Sequence, residues 1–234
     1  MDNILQISNL SKFFGKTHAL KDINLDIPRG KIVGLLGPNG SGKTTLIKTV
    51  MGLASDYKGD VRILGEAPGP RANAYISYLP DRSHIPAWFT VNRAIAFFAD
   101  FYQDFEKAKA QEMLDGMGIP LYKKLKVLSR GMQEKVQLSL AMSRNADLYV
   151  LDEPIGAVDP ASRDLIINTI LKNFPEGSSI LLSTHIIADI EPILDVAIFL
   201  KDGEIVMRGE ADKIREDHCI SLDGLFREVF RNVY

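Results

Sequence analysis

The chain has 234 residues, of which 46% are hydrophobic and 25% charged, a balance that suits one α/β domain with a buried core and excludes disordered and fibrous classes. Its formal net charge of −2 gives no basic face for phosphate neutralisation, so no nucleic-acid partner is expected. A single cysteine, Cys219, suits a reducing compartment, and the sequence shows neither a signal peptide nor an apolar run of about 18 residues, so any work at a membrane is expected to need a partner.

Short β-type segments open the chain, and a helix follows the third of them. We predict strands at residues 4–8, 23–27, 32–36, 61–64 and 76–79, and a helix at 44–51. Gly30 indicates a tight connection between the second and third strands.

The middle of the chain is helical in pattern. Residues 90–117 carry the first helical stretch, with Thr90 and Asp104 as predicted N-caps, and a second helix is predicted at 130–144. This region forms a helical insert at about residues 84–145. Six aromatic residues cluster in it, and we interpret most of them as its own core rather than a partner groove: Trp88, Phe89, Phe97, Phe98, Phe101 and Tyr102.

Strands and helices alternate again after the insert. Strands are predicted at 149–151, 180–183, 196–200 and 204–208, with one helix at 160–172 and another interrupted by Pro192. This alternation implies a mostly parallel sheet covered on both faces. The last segment, 222–234, places six apolar residues on one helical face that we expect to pack on the chain's own domain: Leu222, Leu225, Phe226, Val229, Phe230 and Val233.

A complete phosphate-binding loop follows the third strand. Residues 37–44 read Gly-Pro-Asn-Gly-Ser-Gly-Lys-Thr and match G-x-x-x-x-G-K-S/T between an apolar run and a helix. Such a loop turns backbone N–H groups towards phosphate oxygens, and the helix N-terminus favours the same anion. Lys43 is predicted to reach the β- and γ-phosphates and Thr44 to hold Mg²⁺. The predicted ATP contacts are Gly37, Pro38, Asn39, Gly40, Ser41, Gly42, Lys43, Thr44 and Thr45.

Two adjacent acids end the apolar strand at 148–152. Because the carboxyl ends of parallel strands line the ligand crevice, Asp152 and Glu153 are expected to face the phosphate-binding loop. Asp152 suits a role towards Mg²⁺, and Glu153 suits the orientation or deprotonation of the attacking water. The alternative, an acidic pair that caps the next turn, is weaker beside such a loop.

Five further segments make nearly the whole chain resemble an ABC-type ATPase domain. Residues 128–132, Leu-Ser-Arg-Gly-Met, resemble the ABC signature, and residues 156–159, Gly-Ala-Val-Asp, resemble the D-loop. Residues 78–81, Tyr-Leu-Pro-Asp, resemble the Q-loop, and Thr184 with His185 resembles the switch histidine. Phe14 lies where the family stacks an aromatic ring on adenine. The other three histidines, His18, His84 and His218, are interpreted as ordinary surface or core residues.

The resemblance implies a P-loop NTPase core with a mostly parallel sheet, an N-terminal antiparallel β portion and a helical subdomain that carries the signature. It implies one ABC ATPase domain over residues 1–234. The nucleotide-binding core would occupy about 1–83 and 146–220, the helical subdomain about 84–145, and a C-terminal helix 221–234.

The resemblance also implies an ATPase that uses ATP and Mg²⁺ to drive a transporter. In the family two head-to-tail subunits hold two ATP molecules between them, so a second ABC ATPase subunit, identical or different, and a separate transmembrane permease are the implied partners. Ser129, Gly131 and Asp159 would serve the nucleotide across that interface. His185 would contact the γ-phosphate and position the water, as a catalytic residue with Glu153 and Lys43. The implied location is cytoplasmic, at the inner face of the membrane through the permease.

Two departures from the family pattern carry charge. Asp81 stands where the family has Gln; it is a further candidate for Mg²⁺ and nucleotide, and as a third acid it must be offset by the metal or a base. Arg130 and Met132 stand where Gly and Gln are usual, a variant that resembles bacterial drug and peptide exporters and favours export.

A partner surface is also expected beside the insert. In the family, a cleft near the Q-loop receives a short helix of the membrane subunit, and some of Ile85, Trp88 and Phe89 are expected to line it.

Three alternatives stay open. A non-transport ABC ATPase acting on DNA or ribosomes would usually carry a long coiled coil or two ATPase domains, which this chain lacks. A low-turnover, nucleotide-operated regulatory module would suit Asp81 and Arg130. A small-molecule kinase would leave the signature and His185 unexplained.

Overall fold

The strands form two sheets in the computed structural model, which describes residues 3–156 and 158–231. In chain order they are β1 (Asn3–Phe14), β2 (Thr17–Pro28), β3 (Ile32–Leu36), β4 (Tyr57–Ile63), β5 (Ile76–Leu79), β6 (Leu148–Asp152), β7 (Ser179–Thr184), β8 (Val196–Lys201) and β9 (Glu204–Glu210). One sheet is antiparallel in the order β2-β1-β4, and the other has the order β5-β6-β7-β3-β8-β9. All its neighbours run parallel except β8 and β9.

Helices cover the parallel sheet and build the insert. They are α1 (Lys43–Val50), α2 (Pro70–Asn73), α3 (Val91–Phe101), α4 (Lys107–Gly116), α5 (Arg130–Met142), α6 (Pro160–Asn173), α7 (Ile187–Ile190), α8 (Ala211–His218) and α9 (Leu222–Val229), with 3₁₀ turns at Leu125–Val127 and Glu191–Ile193. The predicted α/β class, with an N-terminal antiparallel portion and a mostly parallel sheet, is confirmed. Within the described ranges, none of these helices is both long and apolar enough to cross a bilayer.

The first two strands are longer than predicted. Each has 12 residues, whereas the sequence pattern predicts about five. Register shifts interrupt the β1–β2 pairing on both sides of Leu10, and Asn9 and Asp22 have left-handed backbone, with φ of 51° and 47°. Because each irregularity breaks the alternation of inward and outward side chains, the period-2 signal disappears from the second half of β1.

The helices are predicted well where one face is apolar and missed where it is not. α1, α5 and α6 end within two residues of their predicted limits. By contrast α8 is absent from the prediction, because its sequence is almost entirely polar and only Ala211 and Ile214 are buried.

Residues 90–117 form two helices, and one predicted cap is wrong. The Thr90 hydroxyl accepts the Arg93 N–H at 3.2 Å and caps α3, as predicted. Asp104 does not cap α4, which begins after Glu106. Its carboxylate instead accepts from Nε of Arg144 at 3.0 Å. That guanidinium is buried, and a buried cation needs a charged partner more than a helix end needs a cap.

The aromatic residues of the insert divide between its core and its surface. Phe89 and Phe98 are buried and Tyr102 packs against the same core. The interpretation that most of the six belong to the core is wrong for Trp88, Phe97 and Phe101, whose exposed fractions are 55%, 47% and 69%. Phe97 and Phe101 lie four residues apart, so they share one outer face of α3, where their rings stack with centroids 6.1 Å apart.

The C-terminal helix packs on its own domain, as expected. Leu222, Leu225, Phe226 and Phe230 are buried in the core that covers one face of the parallel sheet. The last two rings lie 6.3 and 6.4 Å from Phe199 of β8, measured between centroids. Residues 232–234, including the predicted Val233, lie outside the described residues.

Candidate active site

The phosphate-binding loop fits closely between β2 and β8. Gly42 precedes α1 with φ of 110°, and a Cβ there would lie 2.9 Å from the carbonyl oxygen of Ala19. A Cβ on Gly37 would lie 2.5 Å from the carbonyl oxygen of Leu200. Both positions therefore require glycine, the first for its backbone conformation and both for space.

Lys43 turns back over this loop. Its side chain is buried, and Nζ donates to the carbonyl oxygens of Gly37 at 2.7 Å and Pro38 at 3.1 Å. The same nitrogen lies 3.2 Å from Oε1 of Glu153. The ammonium group therefore links the loop to the acidic end of β6.

Asp152 lies at the end of β6, opposite Ser183 of β7. Its Oδ1 accepts from the Ser183 hydroxyl at 2.5 Å and from the Thr44 hydroxyl at 3.3 Å. Oδ2 is buried without a hydrogen-bond partner among the described residues. Burial raises the pKa of Asp152; the two hydroxyl hydrogen bonds lower it, and the nearby charges of Glu153 and Asp81 raise it.

This set of oxygens fits a small, hard divalent cation. Mg²⁺ prefers carboxylate and hydroxyl oxygens together with phosphate and water, and Asp152 with Thr44 supplies both protein types. A cation at Oδ2 would offset the cost of a buried carboxylate. The residues present therefore fit the predicted ion.

The carboxylate of Glu153 is held between Lys43, the first residue of α1, and His185, which follows β7. The backbone of Glu153 is left-handed, with φ of 52°, and its N–H donates to the carbonyl oxygen of Ser183 at 3.1 Å. Oε2 lies 3.0 Å from Nδ1 of His185, while Oε1 faces Lys43. A non-glycine residue in this region costs about 1–3 kcal/mol, and such strain concentrates at functional sites.

A cavity of about 650 Å³ joins most of the predicted residues. Its predicted lining residues are Asn39, Gly40, Gly42, Lys43, Thr44, Thr45, Asp81, Glu153 and His185. It also contains residues that sequence reasoning missed: Thr17, His18, Ala19, Lys21, Asp202 and Gly203. These residues come from the β1–β2 and β8–β9 hairpins, which no motif marks. Gly203 contacts the phosphate-binding loop directly, because its N–H donates to the carbonyl oxygen of Ser41 at 2.9 Å.

Four predicted residues lie apart from this cavity in the single chain. The Ser129 hydroxyl caps α5 by accepting the Met132 N–H at 3.3 Å, and Gly131 follows in the first turn. Asp159 caps α6 by accepting the Ser162 N–H at 3.1 Å, which lowers the pKa of its carboxyl. Phe14 is an exposed ring with Nζ of Lys12 4.9 Å from its centroid. None of these four residues lines the cavity of its own chain, although Arg130, between Ser129 and Gly131, does.

Asp81 and Arg130 share the cavity with the phosphate-binding loop. Asp81 follows β5 and is exposed, and Arg130 begins α5 with Nε 3.4 Å from Oε1 of Glu134. In the described part of the chain, no three acidic, histidine or cysteine side chains are arranged to hold a metal together. A metal-binding role for Asp81 therefore stays a prediction.

A phosphate-binding loop, a buried carboxylate beside its threonine and a glutamate held by a lysine and a histidine define a P-loop ATPase. The model of the family described as ABC transporter matches residues 20–156. The peptide-export ATP-binding protein SkfE of Bacillus subtilis is 32% identical and covers 87% of each chain. The manganese transport ATP-binding protein MntB of the same organism is 31% identical, over 84% of this chain and 82% of MntB.

A solved ATP-binding subunit of an ABC transporter superposes with a TM-score of 0.85 at 28% identity, over 96% of this chain and 98% of that one. The chain belongs to the ABC transporter family as an ATP-binding subunit. It is an ABC ATPase, as the sequence resemblance implies.

Proposed function

We propose that this subunit hydrolyses Mg²⁺-ATP at a site completed by a second ABC ATPase subunit, and that the cycle drives export through a separate permease. The observation that carries the proposal is the position of Glu153, held between Lys43 and His185 at the mouth of the phosphate-binding loop. Lys43 suits contact with the phosphates of ATP, and His185 suits orientation of the carboxylate. Glu153 is the one acid of these three residues, so it is the group that would accept a proton from water.

The triphosphate is proposed to lie along residues 37–44. Backbone N–H groups and the N-terminus of α1 would bind its oxygens, and Lys43 would exchange its carbonyl contacts for the β- and γ-phosphates. Thr44 and Asp152 would hold Mg²⁺, which neutralises charge on the phosphate oxygens when bound. Asp81, which lines the same cavity, is proposed to contact the nucleotide or its metal.

Water activation is assigned to Glu153 and His185. The carboxylate would take the proton of a water facing the γ-phosphate, and the imidazole, 3.0 Å from that carboxylate, would keep it oriented. The left-handed backbone of Glu153 points this side chain away from the strand and towards the loop.

A second subunit is proposed to supply the groups that lie outside the cavity. Ser129 and Gly131 open α5, a helix of 13 residues whose N-terminus favours an anion. Together with Asp159 they would close over the triphosphate held by the other chain. Phe14 is proposed to stack on adenine within its own chain.

The permease is proposed to contact the exposed aromatic face of the insert. Trp88, Phe97 and Phe101 form this face, whereas Ile85 and Phe89 are buried in the insert's core. We propose a matching division of the chain into a nucleotide-binding core at 1–83 and 146–220, an insert at 84–145 that contacts the permease, and a C-terminal helix at 221–234. The complex is proposed to lie at the cytoplasmic side of the membrane.

Export is the direction supported by residues 128–132 and by the relative whose name describes peptide export. Another relative is named for manganese transport, so the direction needs its own test. Everted membrane vesicles that carry the complex are expected to accumulate fluorescent short peptides with ATP, and uptake by right-side-out vesicles instead would reverse the proposal.

The substitution Glu153→Gln tests the hydrolytic mechanism. Loss of a general base lowers turnover by about 100- to 1,000-fold, while binding of a fluorescent ATP analogue is expected to persist. Glu112→Gln, an exposed glutamate of α4, is the matched control and is expected to leave turnover unchanged. Normal phosphate release by Glu153→Gln would remove this residue from the mechanism and favour a low-turnover, nucleotide-operated module.

A further inference from the structure

Two charged residues stand where the ABC pattern has neutral ones, and the fold brings them to one cavity. Asp81 comes from the carboxyl end of β5, and Arg130 is the first residue of α5. The chain separates them by almost fifty residues, yet both line the cavity that holds Lys43 and Glu153. The negative charge of Asp81 and the positive charge of Arg130 therefore face one cavity.

The carboxylate of Asp81 adds to an already acidic wall. Its charge raises the pKa values of Tyr78 and Asp152, after burial as the larger cause for both. It also contributes to the raised pKa of Glu134, where burial is again the first cause. A bound triphosphate would add further negative charge beside these groups, so this side of the cavity requires a cation.

Lys43 and Arg130 are two of the cations that line this cavity together with Asp81. Lys43 is already engaged by Glu153 at 3.2 Å and by two carbonyl oxygens. Arg130 lies with Nε 3.4 Å from Oε1 of Glu134, in an i, i+4 pair whose arginine side chain is 76% exposed. A guanidinium stays charged at all working pH values and can serve more than one carboxylate from such a position.

We propose that Arg130 is a positioning residue of the nucleotide site: its guanidinium offsets the carboxylates of Asp81 and Glu134, so that the two departures from the family pattern form one electrostatic unit. This unit joins the segment after β5 to the signature helix. The proposal rests on the proposed binding of ATP in this cavity. It assigns to Arg130 a contribution to Mg²⁺-ATP affinity, and no direct part in water activation.

The test is a cycle of Arg130→Ala, Asp81→Gln and the double substitution, with the dissociation constant of a fluorescent ATP analogue, KM and kcat all measured in Mg²⁺. Arg130→Ala is expected to weaken ATP binding and raise KM about threefold to fivefold, because two partly exposed carboxylates lose their counter-charge. Adding Asp81→Gln is expected to return both values to within about twofold of Asp81→Gln alone. Arg130→Lys, which keeps the charge, is expected to restore affinity.

Salt and a matched arginine separate this role from a structural one. The penalty of Arg130→Ala is expected to shrink between about 0.05 and 0.5 M salt, since exposed charges are screened. Arg227→Ala removes another i, i+4 pair of similar exposure, in α9 with Asp223, and is expected to leave affinity unchanged.

Independent effects of the two substitutions, or an Arg130→Lys variant as weak as Arg130→Ala, would overturn the proposal. Binding of the analogue is measured without hydrolysis. A failure of Glu153→Gln to stop hydrolysis would therefore count against the proposed mechanism and not against this role of Arg130.

Discussion

The hydroxyl of Ser183 donates to Oδ1 of Asp152 at 2.5 Å and lies 3.1 Å from the backbone nitrogen of Glu153. One side chain at the end of β7 therefore positions both acids at the end of β6. This arrangement depends on the parallel pairing that places Ser183 opposite Asp152. It makes Ser183 a residue of the site that no motif in the sequence marks.

Ser183→Ala is therefore expected to shift the pH dependence of hydrolysis. The hydrogen bond from Ser183 lowers the pKa of Asp152, so its loss raises that pKa. A protonated carboxyl binds metal poorly, and the acid limb of the profile should move to higher pH, with a higher Mg²⁺ requirement below neutrality. ATPase rates over a grid of pH and Mg²⁺ measure both. Ser178→Ala, another buried serine, is the control; coincident profiles for Ser183→Ala and wild type would contradict the prediction.

Asp152→Asn is expected to stabilise the chain while abolishing Mg²⁺-dependent turnover. Burial raises the pKa of Asp152 in the folded state, so the charged form is disfavoured there and its destabilising effect grows as pH rises past the unfolded value. The neutral amide removes that cost, by about 1–2 kcal/mol at pH 7 without metal and nucleotide. Urea unfolding at pH 7 and near pH 4 measures the gain, which should shrink at the lower pH. An equally large gain at both would show that charge is not its cause.

The sequence predicts the motif residues of the site better than the hairpins that complete the cavity. Residues 37–44 and the acids after β6 are fixed by local patterns: a glycine loop with its lysine, and an apolar strand ending in carboxylates. The two hairpins that complete the cavity carry Thr17 and Asp202, whose positions depend on how β2 and β9 meet across two sheets. Such long-range pairing leaves no trace in a short window of residues.

The aromatic insert shows a second limit. Helical periodicity places Phe97 and Phe101 on one face of α3, but periodicity alone does not say whether that face is covered. The structure shows that Ala94, Ile95 and Phe98 face inward, which leaves the two phenylalanines outside. The predicted capping role of Asp104 is wrong for a related reason. Its partner Arg144 is 40 residues away, so a local pattern cannot show the contact.

The exposed aromatic face predicts which substitutions weaken binding of the permease. Trp88→Ala and Phe101→Ala are expected to reduce co-purification with the membrane subunit by about tenfold, because exposed aromatic anchors dominate binding energy at interfaces. ATP affinity and the thermal midpoint should change little, since neither ring is buried. Leu53→Ala, an exposed apolar residue beyond α1, is the control. Unchanged assembly of both variants would move the docking surface elsewhere.

Ser129 provides the sharpest test of a site shared by two chains. In the single chain its hydroxyl caps α5 and lies outside the cavity of the same chain's phosphate-binding loop. Ser129→Arg should therefore spare ATP binding to an isolated subunit while blocking closure over another subunit's triphosphate. In the Glu153→Gln background, purified with its natural partners, Mg²⁺-ATP is expected to produce paired ATPase subunits by light scattering, and Ser129→Arg to prevent the pairing. Ser55→Arg, at an exposed serine between α1 and β4 and outside the proposed interface, tests whether any added arginine has this effect. Pairing that survives Ser129→Arg, or unpaired subunits at saturating Mg²⁺-ATP without it, would contradict a site completed by the signature helix of a second subunit.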